Sequence, residues 1–145
     1  MFFRYASGLF QFGCAGVLHA AVSGVNGDLN RIRSEIMGRM TEDIVLLETA
    51  LANPKKLVFV LQFSVGEFDM VVFDQAAASC EIFEIKHSTG IVREQVRHLT
   101  DPEKCAMTEH RYGQITRKTV LYRGATQDVD GIRYVNVEEY LKGVG

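Results

Sequence analysis

Asp69, Glu84 and Lys86 are the residues whose types and spacing could do chemistry. Fourteen residues separate the aspartate from the glutamate, and a single isoleucine separates the glutamate from the lysine. Side chains alternate along a strand with period two, so Glu84 and Lys86 project to one side while Ile85 projects to the other. If the stretch 66–88, GEFDMVVFDQAAASCEIFEIKHS, forms two neighbouring strands joined by a small-residue turn, Asp69 meets that pair. Two carboxylates about 4 Å apart repel by roughly 4 kcal/mol at an effective dielectric near 20, so a fold that gathers them supplies a cation or a proton. Mg²⁺ or Mn²⁺ suits them, being a hard cation that takes oxygen ligands and keeps waters. In that reading Asp69 and Glu84 hold the metal, and Lys86 positions a water against a phosphodiester or offsets the developing negative charge. An ion pair between Asp69 and Lys86 accounts for the same residues without a metal, because a buried aspartate requires a partner.

The elements that would position these residues follow from the hydrophobic pattern. Residues 29–53 are expected to form one long helix, with Ile32, Ile36, Met40, Ile44, Leu47 and Leu51 buried at a spacing of three to four and Val45 and Leu46 widening that face. Gly38 and Glu42 lie four apart on one side of it, where the carboxylate could reach the end of a sheet; a surface acid, or Glu48 in its place, is the alternative. Asn53 and Pro54 end the helix. Residues 56–64, KLVFVLQFS, have the continuous apolar character of a strand covered on both faces. In the next strand Glu67, Asp69, Val71 and Phe73 are expected on one face, with Phe68, Met70 and Val72 on the other. Residues 74–79 form the turn and 81–87 the third strand. In IVREQVRHL, Val92, Val96 and Leu99 share a helical face with Gln95 beside it. Asp101, Pro102 and Glu103 open a further helix that ends near Tyr112 and Gly113. Strands are expected over 115–123 and 132–137, separated by a polar loop, with a short terminal helix over 137–142.

Composition limits the function classes. Hydrophobic residues make up 47% of the 145 and charged residues 23%, as in an ordinary globular chain, and the length suits one domain over 29–145. The formal net charge of −2 removes the basic excess that would hold nucleic acid through phosphate contacts alone, so any such contact needs a local patch. Arg31, Arg33 and Arg39 before the core, and Lys86, Arg93, Arg97 and His98 after the Glu-x-Lys triplet, are the candidates, with Arg93 and Arg97 singled out for nucleic acid and a solvated helix face as the other account of them. Cys14, Cys80 and Cys105 show no paired spacing, which suits free thiols in the cytoplasm. The histidines are dispersed and form no zinc pattern. Residues 1–28 are an apolar segment in which Gln11 and His19 interrupt the run, so a helix over about 9–22 that packs on the core or on another chain is expected there, with no membrane span.

Asp69 followed by Glu84-Ile85-Lys86 resembles the signature of the PD-(D/E)xK nuclease superfamily. GRMTEDIVLLETAL, GEFDMVV, CEIFEIK and QITRKTVLYRG are together similar to the nuclease-like domain found C-terminal to AAA+ ATPase modules in prokaryotes, over about residues 30–140. The resemblance implies an α/β, restriction-endonuclease-like αβββαβ core with a central mixed sheet flanked by helices. It implies Mg²⁺-dependent hydrolysis of DNA by Asp69, Glu84 and Lys86, with Glu42 completing the acidic cluster and Gln95 contacting the site or the phosphate. The nucleotide-binding pattern GxxxxGK[ST] is absent, so these residues carry no ATPase core of their own, and the resemblance implies either the C-terminal part of an AAA+ ATPase or a stand-alone relative. Such domains also serve as catalytically silent modules that bind a partner protein or an ATPase, and homo-oligomerisation through the N-terminal helix is a further expectation.

Overall fold

The strands that carry the three residues belong to a six-stranded mixed sheet. A computed structural model describes residues 29–144, apart from the side chain of Gln95; the expected helix over 9–22 lies outside the described residues. The elements in chain order are α1 (Leu29–Ala52), β1 (Leu57–Gln62), β2 (Glu67–Asp74), β3 (Ser79–Ile85), a 3₁₀ turn (Arg93–Val96), α2 (Pro102–Tyr112), β4 (Gln114–Tyr122), β5 (Gln127–Val129), β6 (Ile132–Asn136) and α3 (Val137–Val144). The sheet order is β1-β2-β3-β4-β6-β5. The first three strands form an antiparallel meander, β3 and β4 pair in parallel, β4 and β6 pair in parallel, and β5 returns antiparallel to β6. A parallel step needs a crossover, and α2 lies within the connection from β3 to β4.

The chain divides between Thr41 and Glu42 into two units. The described part of the first is the N-terminal half of α1, where Arg31 and Glu35 approach to 4.0 Å one turn apart and Thr41 donates its hydroxyl to the Met37 carbonyl. The second holds the sheet, and its core has two sides. On one, Val71, Cys80, Ile82, Leu99, Val120, Tyr122, Ile132 and Tyr134 pack with Cys105 and Tyr112 of α2. On the other, Met70, Val72, Phe83, Ile85 and Leu121 pack with Val45 of α1 and Val137 and Tyr140 of α3. Thr49 of α1 hydrogen-bonds the Tyr140 hydroxyl at 2.8 Å, tying the two helices together on that side.

Several expectations are corrected. The buried residues of α1 are Val45 and Thr49, whereas Met40, Ile44, Leu47 and Leu51, expected inside, are 46–65% exposed. Periodicity identifies an apolar stripe, but the sheet takes the neighbouring face. The stretch IVREQVRHL is not an α-helix. It makes only the 3₁₀ turn and then anchors through Leu99, while Val92 is half exposed. The polar loop over 124–131 contains β5, an edge strand whose polar residues gave no alternation. Phe68 packs with Val71 rather than with Met70 and Val72. Its reversal comes from a β-bulge: between Phe59↔Val71 and Leu61↔Phe68, β2 spends one residue more than β1.

Candidate active site

The bulge falls at Asp69, where β2 and β3 part. Their antiparallel register ends at Met70↔Phe83, one position short of Asp69, while β3 continues beside β4 to Ile85↔Leu121. Past the last rung the Ile85 amide donates to Asp69 Oδ2 at 2.7 Å, so the aspartate side chain closes the fork that the strands leave open. On the other flank the Lys86 amide donates to the Leu121 carbonyl at 2.8 Å, fixing the lysine backbone to β4.

Into this fork project the two acids and the lysine. Lys86 Nζ lies 2.9 Å from Glu84 Oε2 and 3.5 Å from Asp69 Oδ2. Glu84 is 1% exposed, whereas a third of the Lys86 side chain reaches solvent, so the cluster opens on its lysine side. Two carboxylates and one ammonium leave one negative charge in excess if all three are ionised. The protein relieves it with a proton: burial first, then the Asp69 charge, push the Glu84 carboxyl up to about 8, against the lowering influence of Lys86. For Lys86, burial lowers the ammonium's pKa, but Asp69 and Glu84 outweigh it and the net shift is upward. Glu84 Oε1 is buried and has no hydrogen-bond partner. A buried carboxylate oxygen without a donor is costly, and either a proton or a cation satisfies it.

The structure thus brings together Asp69, Glu84 and Lys86. Glu42 is half-buried on α1, whose neighbouring Val45 packs on the opposite side of the sheet. Among the described residues no group of three histidine, cysteine or acidic side chains is gathered around a common point. Arg93 and Arg97 are both exposed, and Gln95 contributes its backbone to the 3₁₀ turn, its side chain lying outside the described residues. Cys80 and Cys105 are free thiols, and burial pushes Cys80 up to about 11, which leaves it inert. No helix among the described residues is long and apolar enough to cross a membrane.

Sequence reasoning grouped His98 with Lys86, Arg93 and Arg97 as a candidate basic patch but did not foresee where its ring would lie. Its ring rests against Gly66, where a Cβ would stand 2.4 Å from His98 Cε1, and Gly66 adopts φ +79° three residues before Asp69. The charges of Lys86 and Asp69 both act on this imidazole. The glycine at the start of the aspartate strand does not reveal in the sequence which side chain lies on it. Comparison of the chain with family models, curated proteins and solved structures finds no match.

Proposed function

We propose that the chain is a divalent-cation-dependent phosphodiesterase acting on DNA, built on a restriction-endonuclease-like αβββαβ core. The observation that carries this reading is the orphaned Glu84 Oε1, buried beside Asp69 in a strand fork whose open side presents the Lys86 ammonium. The donor set fits Mg²⁺ or Mn²⁺, because such ions are commonly held by one or two carboxylates and keep waters in the remaining positions. Asp69 and Glu84 would hold it. When bound, the cation supplies positive charge to phosphoryl oxygens and lowers the pKa of water in its shell.

The chain's own groups do the rest. Loss of the Glu84 proton, which the cation's charge favours, turns the carboxyl into a charged acceptor. The Ile85 amide keeps Asp69 Oδ2 aimed into the fork, so the aspartate does not have to be ordered when substrate arrives. Lys86, held by backbone on one flank and by carboxylates on the other, can donate a hydrogen bond to a non-bridging phosphate oxygen or to the attacking water. Titration of Mg²⁺ and Mn²⁺ into the protein, with supercoiled DNA as substrate, should give metal-dependent nicking that Lys86→Ala reduces by about 10²–10⁴. Neither binding of either ion nor nicking of any DNA form would remove the proposal.

A second reading is favoured by the exposed apolar residues Ile44, Leu47 and Leu51 on α1. In it the fold is an interaction module, and the ion-paired trio is a satisfied polar core. It requires association that persists in chelator. A chain that runs as a monomer and cuts DNA leaves that reading without support.

A further inference from the structure

Beside the strand fork lies a cavity of about 450 Å³ between the β1–β2 turn and the segment that leads into α2. Arg97, His98 and Lys104 line it, and Phe63, Val65 and Met107 supply its apolar wall. Lys104 Nζ stands 2.6 Å from His98 Nδ1, and Arg97 Nε points at His98 Nε2 from 3.4 Å. This arrangement is frustrated. A neutral imidazole accepts at one nitrogen and carries a hydrogen on the other, so two cationic donors converge on a ring that can satisfy only one of them. An imidazolium would satisfy neither. Burial and the charges of Lys104, Arg97 and Lys86 hold His98 below the ordinary imidazole range, against the pull of Asp69.

An oxyanion placed among the three groups resolves the conflict, since it accepts from the ammonium, the guanidinium and the imidazole N–H together. Two acids also line the cavity: Asp101, whose Oδ1 accepts from the amides of Glu103 and Lys104 at the start of α2, and Glu103, which is exposed. The cavity volume is that of a nucleotide rather than of a bare anion. Lys104 already lies over the Phe63 ring at 5.3 Å, so cation and aromatic surface adjoin. His98, which lines this cavity, seats on Gly66 at the start of the strand that delivers Asp69.

We propose that Arg97, His98 and Lys104 form a metal-independent phosphate subsite, which holds the phosphate of a nucleotide neighbouring the scissile one, with its sugar or base against Phe63, Val65 and Met107. The assignment rests on the phosphodiesterase reading for its biological meaning, but its test does not. The full chain in chelator is titrated with thymidine 5′-monophosphate and, separately, with thymidine, while the His98 ring resonances are followed by NMR. The nucleotide should move them and the nucleoside should not. Arg97→Gln with Lys104→Gln should weaken the nucleotide by about tenfold or more, and Glu84→Gln should leave it within about twofold. Ring resonances unmoved by the nucleotide at millimolar concentration would overturn the subsite, as would binding lost in Lys86→Ala but intact in the double variant. Nucleotide binding at His98 without metal-dependent nicking keeps the subsite and removes the catalytic reading; nicking without a His98 response does the reverse.

Discussion

Glu84 is where the chemistry of the site becomes measurable without a substrate. In the unfolded chain its carboxyl titrates near the ordinary 4.5, and in the fold it holds its proton up to about 8. Between those values the folded state binds more protons than the unfolded state, so stability falls as pH rises through this window and levels off above it. The loss is on the order of a few kcal/mol. Lys86 acts at the other end of the scale: its raised value adds stability that is present below the ordinary 10.5 and lost as pH climbs through the folded-state value. Denaturant melts of metal-free protein from pH 5 to pH 8 should therefore show a declining midpoint. Glu84→Gln should flatten that decline, because an amide of the same shape neither ionises nor faces Asp69 as a second charge. Saturating Mg²⁺ should also flatten it, since a cation replaces the proton. A slope that survives Glu84→Gln would place the titration on another group and weaken the account of the orphaned oxygen.

At the scale of elements, the trio was legible because period two is strict along β3 and because apolar runs announce β1, β2 and β3. The bulge was not legible. An extra residue in β2 depends on how β1 pairs with it, and no local pattern records a register shift. The α1 stripe was visible, but its burial was not, since a helix with apolar residues on two adjoining faces does not declare which one meets the sheet. This difference has a consequence for stability. Val45→Ala should cost roughly 1–3 kcal/mol by emptying a site among Met70, Phe83 and Leu121, while Leu47→Lys should stay within about 0.5 kcal/mol. Equal losses in urea melts would contradict the orientation of α1. Gly113, which ends α2 at φ +78°, sets the entry into β4 by close approach: a Cβ there would stand 1.8 Å from the Ala78 carbonyl oxygen. Gly113→Ala should accordingly destabilise by roughly 2–4 kcal/mol, with backbone and not a pliable side chain refusing to move.

For the molecule as a whole, a net charge of −2 means that any attraction to DNA, as the proposed phosphodiesterase would need, has to be local. Lys86 lies within the fork, and Arg97 and Lys104 line the cavity in front of α2. Sequence reasoning grouped Arg97 and His98 with Lys86 but not with Lys104, whose ammonium meets the His98 ring only once α2 has formed behind Asp101. Each phosphate neutralised on duplex DNA contributes about −0.9 to the slope of log affinity against log salt, so three contacts give a slope of about −2 to −3. Binding measured in Ca²⁺, to prevent cleavage, across a salt series should return that shallow value. Arg97→Gln with Lys104→Gln should reduce it by about two, and Lys86→Ala by about one. A slope much steeper than about −5 would mean that a wider basic surface holds the DNA, which would disconnect the binding from the fork and from the cavity beside it.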